Sequence, residues 1–299
     1  MITKVIALNT GRSEHELRLR EDITQACAET YELDFEDSNN LWIEAKTNNV
    51  QILSAAGPLQ LDNVFFFIRL RKQDAALVAL LCHIFKLSGV GFTDESNEYH
   101  SDFAEKSFAI PRLAMNGFLV PDTVIVSYKS LKKNIESIEK SFEYPSVVKG
   151  RGDRGESVEL AHDRTELLDF AERANQKSPA LISIQARVEN TYDVRALFFG
   201  DTYLGSIRRA RGADQPLLNN VSKGAAVEVD EMTVEEIDLC KQVMKISYID
   251  FCGIDFIRTE KGLVFIELNR APQLGGIRGA IPDLSVGEGL ISLIRKVDS

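Results

Sequence analysis

The sequence predicts an α/β (α+β) protein laid out in three blocks, at residues 1–96, 97–184 and 185–299. Three observations predict it. Strand and helix signals alternate through the first hundred residues, as in an open sheet covered by helices. The middle of the chain runs helix, strand, glycine-containing loop, strand, helix. The last third carries two hairpin signals, at Gly200-Asp201 and at Glu260-Lys261-Gly262. At 299 residues the chain also passes the usual size of a single hydrophobic core, which favours several small domains.

In the first block, Val5-Ile6-Ala7-Leu8 is a short apolar run and reads as a strand. Ser13, three residues before Glu16, has capping-box spacing and opens a helix with Leu19, Ile23, Ala26 and Cys27 at helical intervals. Residues 31–35, 41–45 and 50–53 read as strands. Val64-Phe65-Phe66-Phe67-Ile68 is continuously apolar, as a strand covered on both faces is. Residues 74–87 form a mostly apolar helix, and Gly89 follows where a C-cap needs a left-handed residue.

The second block predicts a helix over 103–115, an extended segment over 123–126 after Pro121, and a helix capped by Ser130 with Leu131, Ile135 and Ile138 on one face. A strand at 146–149 leads into Gly150-Arg151-Gly152-Asp153-Arg154-Gly155. A strand near 157–160 and a helix over 165–175 follow. The third block predicts strands at 181–186, 194–199 and 203–208, then a helix opened by Thr233 with Glu236 and carrying Ile237, Cys240 and Met244. Two β-rich runs, 251–258 and 263–268, close the chain as a hairpin.

The chain carries 45 acidic against 35 basic residues, a net charge of −10. This argues against nucleic acid or an anionic membrane as partner. No run approaches 18 apolar residues and the start has no secretory signal, so a cytoplasmic protein is expected. Cys27, Cys82, Cys240 and Cys252 lie far apart inside apolar runs and read as reduced core thiols. The four histidines form no zinc pattern.

Three clusters carry chemistry. A three-residue loop at 260–262 sets Thr259 opposite Leu263, hence Asp255 opposite Glu267, with Asn269 on the face of Glu267. Facing positions in an antiparallel pair are about 4.5–5.5 Å apart at Cβ. Two carboxylates and an amide oxygen then converge as ligands for a hard cation. The same alternation fits a solvated face, since Ile254, Phe256, Ile266 and Leu268 bury the other side, and periodicity leaves both readings open. Lys149 ends a strand before the glycine loop, which fits either an anion-binding concavity or an ordinary turn. That loop lacks the order of a P-loop and of a dinucleotide fingerprint. Arg208 and Arg209 lie in the densest basic stretch and point opposite ways on a strand, so at most one faces a given site.

Taken in order, Lys106, Val147-Val148-Lys149 with its glycine loop, Ile184-Gln185, Asp193-Val194-Arg195, Arg208-Arg209, Gly253-Ile254-Asp255 and Glu267-Leu268-Asn269 resemble the ATP-grasp superfamily over roughly residues 95–280. The RimK-like branch, which holds ribosomal-protein glutamate ligases and related amino-acid ligases, is the most similar. The resemblance implies an ATP-grasp fold behind an N-terminal Rossmann-like pre-ATP-grasp domain, the second block being the central lid and the third holding the metal site. It implies ATP and Mg2+ (or Mn2+) as cofactors. Lys106 and Lys149 would contact phosphates or base, and the loop with Gly152 and Gly155 would close over the phosphates. Gln185, Ala186 and Arg187 would offer backbone to adenine, Asp193 would reach the ribose, and Asn219 would lie near the nucleotide. Asp255, Glu267 and Asn269 match the metal ligands, while Arg209 and Arg195 would stabilise an acyl phosphate. Ala186 departs from the branch, which usually has Glu after Gln, and the segment after Asn269 departs as well.

The implied reaction is transfer of the γ-phosphoryl of ATP to a carboxylate, then attack of an amine to form an amide or peptide bond. The carboxylate belongs to a small molecule or to a protein or peptide terminus, and the amine is an amino acid or similar. An ATP-grasp small-molecule kinase and a non-catalytic ATP-binding module are the alternatives, and homo-oligomerisation is left open.

Overall fold

The structure, a computed structural model, describes residues 1–11, 13–69, 74–99, 106–150, 158–177, 181–210 and 227–299. Its first part contains β1 (Lys4–Leu8), α1 (Glu14–Cys27), β2 (Glu32–Glu36), the small antiparallel sheet β3 (Trp42–Lys46), β4 (Asn49–Ser54) and β5 (Gly57–Pro58), then β6 (Val64–Ile68), α2 (Ala75–Leu87) and β7 (Gly91–Phe92). The main sheet is parallel in the order β2-β1-β6-β7. All five residues of β6 are buried, as its unbroken apolar run predicts. Phe65 and Phe67 pack with α1 on one face, and Phe66 and Ile68 pack with α2 on the other. Ser13 caps α1, accepting from the Glu16 N–H at 3.4 Å. The capping box does not close, because Glu16 turns its carboxylate to Arg69 at 3.1 Å.

The second part contains α3 (Lys106–Met115), β8 (Thr123–Ser127), α4 (Tyr128–Ile138), β9 (Ser146–Lys149), β10 (Val158–Ala161), α5 (Arg164–Lys177) and β11 (Leu181–Ala186). The predicted helical residues 103–105 lie outside the described residues. Its antiparallel sheet runs β10-β9-β11-β8. The cap of α4 is Ser127, not Ser130: Ser127 is extended and accepts from the Ser130 N–H at 3.3 Å, so Ser130 already sits in the first turn. Helices α4 and α5 cover the face made by Val126, Val148, Ile182 and Ile184. Register places Thr123, Lys149, Ser183 and Gln185 together on the opposite face.

The third part contains β12 (Tyr192–Phe199), β13 (Thr202–Ala210), β14 (Val227–Val229), α6 (Val234–Ser247), β15 (Phe251–Thr259), β16 (Gly262–Asn269), α7 (Gly275–Ala280) and α8 (Val286–Val297). Thr233 and Glu236 form the complete capping box expected for α6. The sheet is antiparallel in the order β14-β13-β12-β15-β16. One face buries Val194, Ala196, Phe198, Ile254 and Phe256 against Leu113 of α3 and Cys240, Val243 and Met244 of α6. The other face is divided along its length. Leu197, Phe199, Ile207 and Phe251 join a core with Val5, Leu19, Phe67 and Leu290 of β1, α1, β6 and α8, so the first and third parts share one core.

That shared core depends on close approach at two glycines of α8. A Cβ on Gly287 would lie 2.6 Å from the Ala26 Cβ and 2.7 Å from the Asp22 carbonyl oxygen. On Gly289 it would lie 2.5 Å from the Phe199 Cβ. Neither neighbour is a flexible side-chain end, so Gly289→Ala is expected to cost about 1–3 kcal/mol in thermal or urea denaturation. An unchanged midpoint would show that α8 slides freely over the sheet.

All four cysteines are buried free thiols. Burial pushes the Cys27 thiol up to about 11 and, as the first cause, Cys240 up to about 12, which keeps both protonated and inert. Among the described residues no helix is long and apolar enough to cross a membrane.

Candidate active site

The turn at Gly200-Asp201 has the two residues the sequence predicts, the closing turn is tighter than predicted, and each hairpin sets its register through a bulge. Thr259 faces Gly262, so the closing turn is the two-residue Glu260-Lys261, and Arg258, not Thr259, faces Leu263. Continued unbroken, that register would set Asp255 opposite Ile266. A bulge between Phe256 and Asp255 passes over Ile266 and sets Asp255 opposite Glu267, with Asn269 opposite Gly253. The expected pairing of the two carboxylates is present, reached by a shorter turn plus a bulge. The turn Gly200-Asp201 behaves likewise. Phe199 faces Thr202, and a bulge past Leu204 sets Arg209 opposite Asp193 and Ile207 opposite Arg195. Gly205 follows that bulge with φ +149°, where a Cβ would lie 2.8 Å from Ile281.

The result is a charged end on the divided face. Arg195 grips Asp255 with both arms, its Nε donating to Oδ1 and its Nη2 to Oδ2, each at 2.7 Å. Arg209 donates from Nε to Asp193 at 2.7 Å and reaches Asp255 Oδ2 from Nη2 at 3.1 Å. Asn269 donates its amide to Asp255 Oδ2 at 3.2 Å. Asp255 is 5% exposed and Arg209 3%. Burial alone would raise the Asp255 pKa, but the guanidiniums of Arg195 and Arg209 outweigh it and hold the carboxyl well below the usual range. Burial likewise works against the charge on Arg209, and Asp255 and Asp193 hold it firmly protonated. Burial pushes Asp193 upward against the pull of the same arginine. Arg208 points away and pairs with Glu228 at the exposed edge, so only Arg209 joins this cluster.

The second sheet presents the other predicted residues. Lys149 ends β9 opposite Ser183, on the face free of α4 and α5. Gln185 is 3% exposed, its amide donates to Thr123 Oγ1 at 3.2 Å, and it is registered between Thr123 and Val147. The Ala186 N–H donates to the Asp122 carbonyl at 2.8 Å. Backbone past the ladder therefore begins at Arg187, whose Nε lies 3.3 Å from Glu189. Lys106 opens α3; its side chain, with Gly152, Gly155 and Asn219, lies outside the described residues.

The donor set can be tested for a hard cation. Among the described residues no three His, Cys, Asp or Glu side chains are grouped to hold a metal ion. The candidate set is two carboxylates and an amide, oxygen donors of the kind Mg2+ accepts. Four N–H donors engage Asp255, one at Oδ1 and three crowded at Oδ2. Turning the Asn269 amide would free one of these and present its oxygen, and O/N assignment in an amide follows its partners. Asp255, Glu267 and Asn269 therefore fit such an ion.

Two arginines without a sequence signature lie between the first and third parts. Arg270, just past Asn269, donates to Asn97 Oδ1 at 3.1 Å, and Arg69 lies over the Phe251 ring at 5.4 Å. Their position one residue past a strand is the only local hint of them.

Comparison with known proteins agrees with this fold. The model of the RimK-like ATP-grasp domain matches residues 104–286, and the chain belongs to that family. A probable alpha-L-glutamate ligase of Maridesulfovibrio salexigens is 27% identical over 215 residues, covering 71% of this chain and 69% of that protein. Human Beta-citrylglutamate synthase B is 30% identical over 159 residues, covering 52% of this chain. The chain spans about two-fifths of the length of the synthases it matches, 41% in the human case. Among solved structures, the ATP-grasp ligase PsnB complexed with minimal precursor, Mg and ADP superposes with a TM-score of 0.69 at 15% identity, covering 99% of this chain and 98% of that one. The VanG D-Ala:D-Ser ligase from Enterococcus faecalis superposes with a TM-score of 0.69 at 15% identity, covering 99% and 100%. These two establish the ATP-grasp fold.

Proposed function

We propose that the protein is a Mg-ATP-dependent carboxylate–amine ligase that forms an amide or peptide bond and releases ADP and phosphate. The observation that carries this reading is the charged end of the five-stranded sheet, where Arg195 and Arg209 converge on Asp255 beside Glu267 and Asn269. A carboxylate oxygen takes the γ-phosphoryl of ATP, and an amine nitrogen then attacks the acyl carbon. The C–O bond to phosphate breaks, and the amine gives up a proton. Charge stabilisation and positioning supply most of the catalysis in such transfers, and no nucleophilic side chain is needed.

In this reading Arg195 and Arg209 stabilise the acyl phosphate and its tetrahedral successor, and the carboxylates fix both guanidiniums before substrate arrives. Asp255, Glu267 and Asn269 hold Mg2+, or Mn2+ in its place, which when bound neutralises charge on the phosphates. Lys106, Lys149 and the loop with Gly152 and Gly155 surround the phosphates. Arg187 supplies backbone to adenine beyond Gln185 and Ala186, with Asp193 and Asn219 toward the ribose. Residues 1–96, 97–184 and 185–299 act as the pre-ATP-grasp domain, lid and metal-bearing subdomain. Relatives named for joining glutamate to an acid support an acidic small molecule or peptide terminus and an amino acid as the pair. The buried free thiols support a reducing, cytoplasmic setting.

Nucleotide products decide the reading. ADP and free phosphate, released only when a carboxylate and an amine are both present, is the expected result with Mg-ATP. AMP and pyrophosphate would overturn it. Glu267 is half-buried, so Glu267→Gln is expected to lower turnover at least about a hundredfold while leaving the unfolding midpoint near wild type. Turnover retained in that variant would remove Glu267 from the site.

A further inference from the structure

Helix α2 is apolar on nearly every side: among its residues only His83 and Lys86 are neither aliphatic, aromatic nor cysteine. A surface helix ordinarily turns a polar stripe to water, and one that is apolar all round is normally covered all round. The inner side of α2 obeys this, with Val78, Leu81, Cys82 and Phe85 buried in the core that also holds Phe66 of β6. Its outer side does not. Leu80 is 47% exposed and Leu87 76%, and the half-buried Leu77 and Ile84 lie beside them.

Leu77, Leu80, Ile84 and Leu87 follow one another at intervals of three, four and three, which sets them in a single row along the helix, the spacing of a helix–helix seam. The two polar side chains leave this row uncharged. His83 Nδ1 lies 3.2 Å from Glu98 Oε1, and the Lys86 ammonium donates to Glu98 Oε2 at 2.7 Å, so both are tied to a carboxylate of their own chain. The intervals also read the same from either end of the helix. A half-turn rotation therefore lays the row on a copy of itself, antiparallel, with Leu80 against the partner's Ile84 and Leu77 against the partner's Leu87. A helix of unrelated sequence needs no such symmetry, whereas an isologous contact between two copies requires a self-complementary patch.

We propose that the outer face of α2 binds a second copy of this chain, the two α2 helices pairing antiparallel about a two-fold axis beside Cys82. Each chain has a net charge of −10, so an uncharged row is where two copies approach at least electrostatic cost. The small sheet β3-β4-β5 is rooted in the same core through Leu41, which precedes it, and Ile52, so it stands on the same side of the main sheet as α2. Its Trp42 is 50% exposed, which adds apolar area on this side beyond that of the helix.

Sedimentation velocity of the full chain over a dilution series tests the proposal. The wild type is expected to sediment as a species of twice the chain mass that dissociates on dilution. Leu80→Glu is expected to weaken association at least about a hundredfold, because the two-fold axis makes each substitution count twice. Leu80 and Leu87 are exposed, so Leu80→Glu and Leu87→Glu are both expected to keep the wild-type unfolding midpoint of the monomer. Cysteine cross-linking tests the direction of the pair. Oxidising a mixture of Leu80→Cys and Ile84→Cys chains is expected to join one chain of each kind, while Leu80→Cys alone stays uncrosslinked. A wild type that is monomeric at its highest soluble concentration would overturn the proposal and leave this face to a different protein. A dimer that persists unchanged in both folded glutamate variants, or Leu80→Cys chains that cross-link with themselves, would overturn it as well.

Discussion

Replacing Asp255 by asparagine is expected to abolish ADP release and to destabilise the fold by about 3 kcal/mol, the cost of stranding buried charge. Two guanidiniums, Arg195 and Arg209, lose the carboxylate they share in a nearly dry environment, and asparagine offers one acceptor oxygen where four donors converge. The contrast with Glu267→Gln is the informative part: Glu267 is half-buried, so its neutralisation spares the fold and removes only the chemistry. Denaturation of both variants beside the wild type checks it. The Asp255 carboxyl is held below its ordinary value of 3.8. Its stabilising contribution is therefore complete above about pH 4 and lost only as pH falls through the lowered value. The difference between Asp255→Asn and wild type is expected to stay constant from pH 5 to pH 8. Equal midpoints at pH 7 would show that water, not Asp255, solvates the two arginines.

The second large effect lies at the junction between the first and third parts. The Asp94 and Asp250 side chains cap each other's backbone: the Asp250 N–H donates to Asp94 Oδ1 at 2.5 Å, and the Asp94 N–H to Asp250 Oδ2 at 2.6 Å. The Phe251 N–H adds a third bond to Asp94 at 3.1 Å. Burial, then mutual repulsion, pushes Asp94 up to about 7, and burial pushes Asp250 up to about 6, with Arg270 opposing the rise at Asp94. Both folded values exceed the ordinary 3.8, so the folded state binds more protons than the unfolded state between about pH 4 and pH 7. Stability therefore falls as pH rises through that window.

Asp94→Asn isolates this effect. Asparagine keeps an acceptor oxygen for Asp250 and Phe251 and tolerates the left-handed φ of +58° at this position. The variant is expected to equal or exceed wild-type stability at pH 8 and to show a flatter pH profile between 5 and 8. A profile parallel to wild type would mean that the pair is ionised in the fold at neutral pH.

Much of this molecule is legible in the sequence because local rules and global packing agree. The five apolar residues of β6 can only be a strand buried on both faces, and they are. Thr233 and Glu236 cap α6 as their spacing requires. At Glu16 the rule fails for a tertiary reason, since a buried arginine 53 positions away outbids the local backbone N–H. At Ser127 and Ser130 two equal caps compete, and the end of β8 decides between them by fixing Ser127 in an extended conformation.

By itself the sequence determined the residue types of the candidate site, their order along the chain and the strands that carry them. Which side chains meet was decided by tertiary structure. Two-residue turns alone would set Arg208 opposite Asp193 and Ile266 opposite Asp255. The bulges past Leu204 and Ile266 bring Arg209 and Glu267 into those places instead. A period of two makes every such pairing depend on a single residue of slip, and a bulge is chosen by how both faces of the sheet pack. Here one face carries a continuous apolar core against α3 and α6, with Ser206 and Arg208 only toward its β13 edge, and the other is apolar only where it meets α1, α7 and α8. Burying both in one molecule fixes the register that gathers the charges at the remaining end.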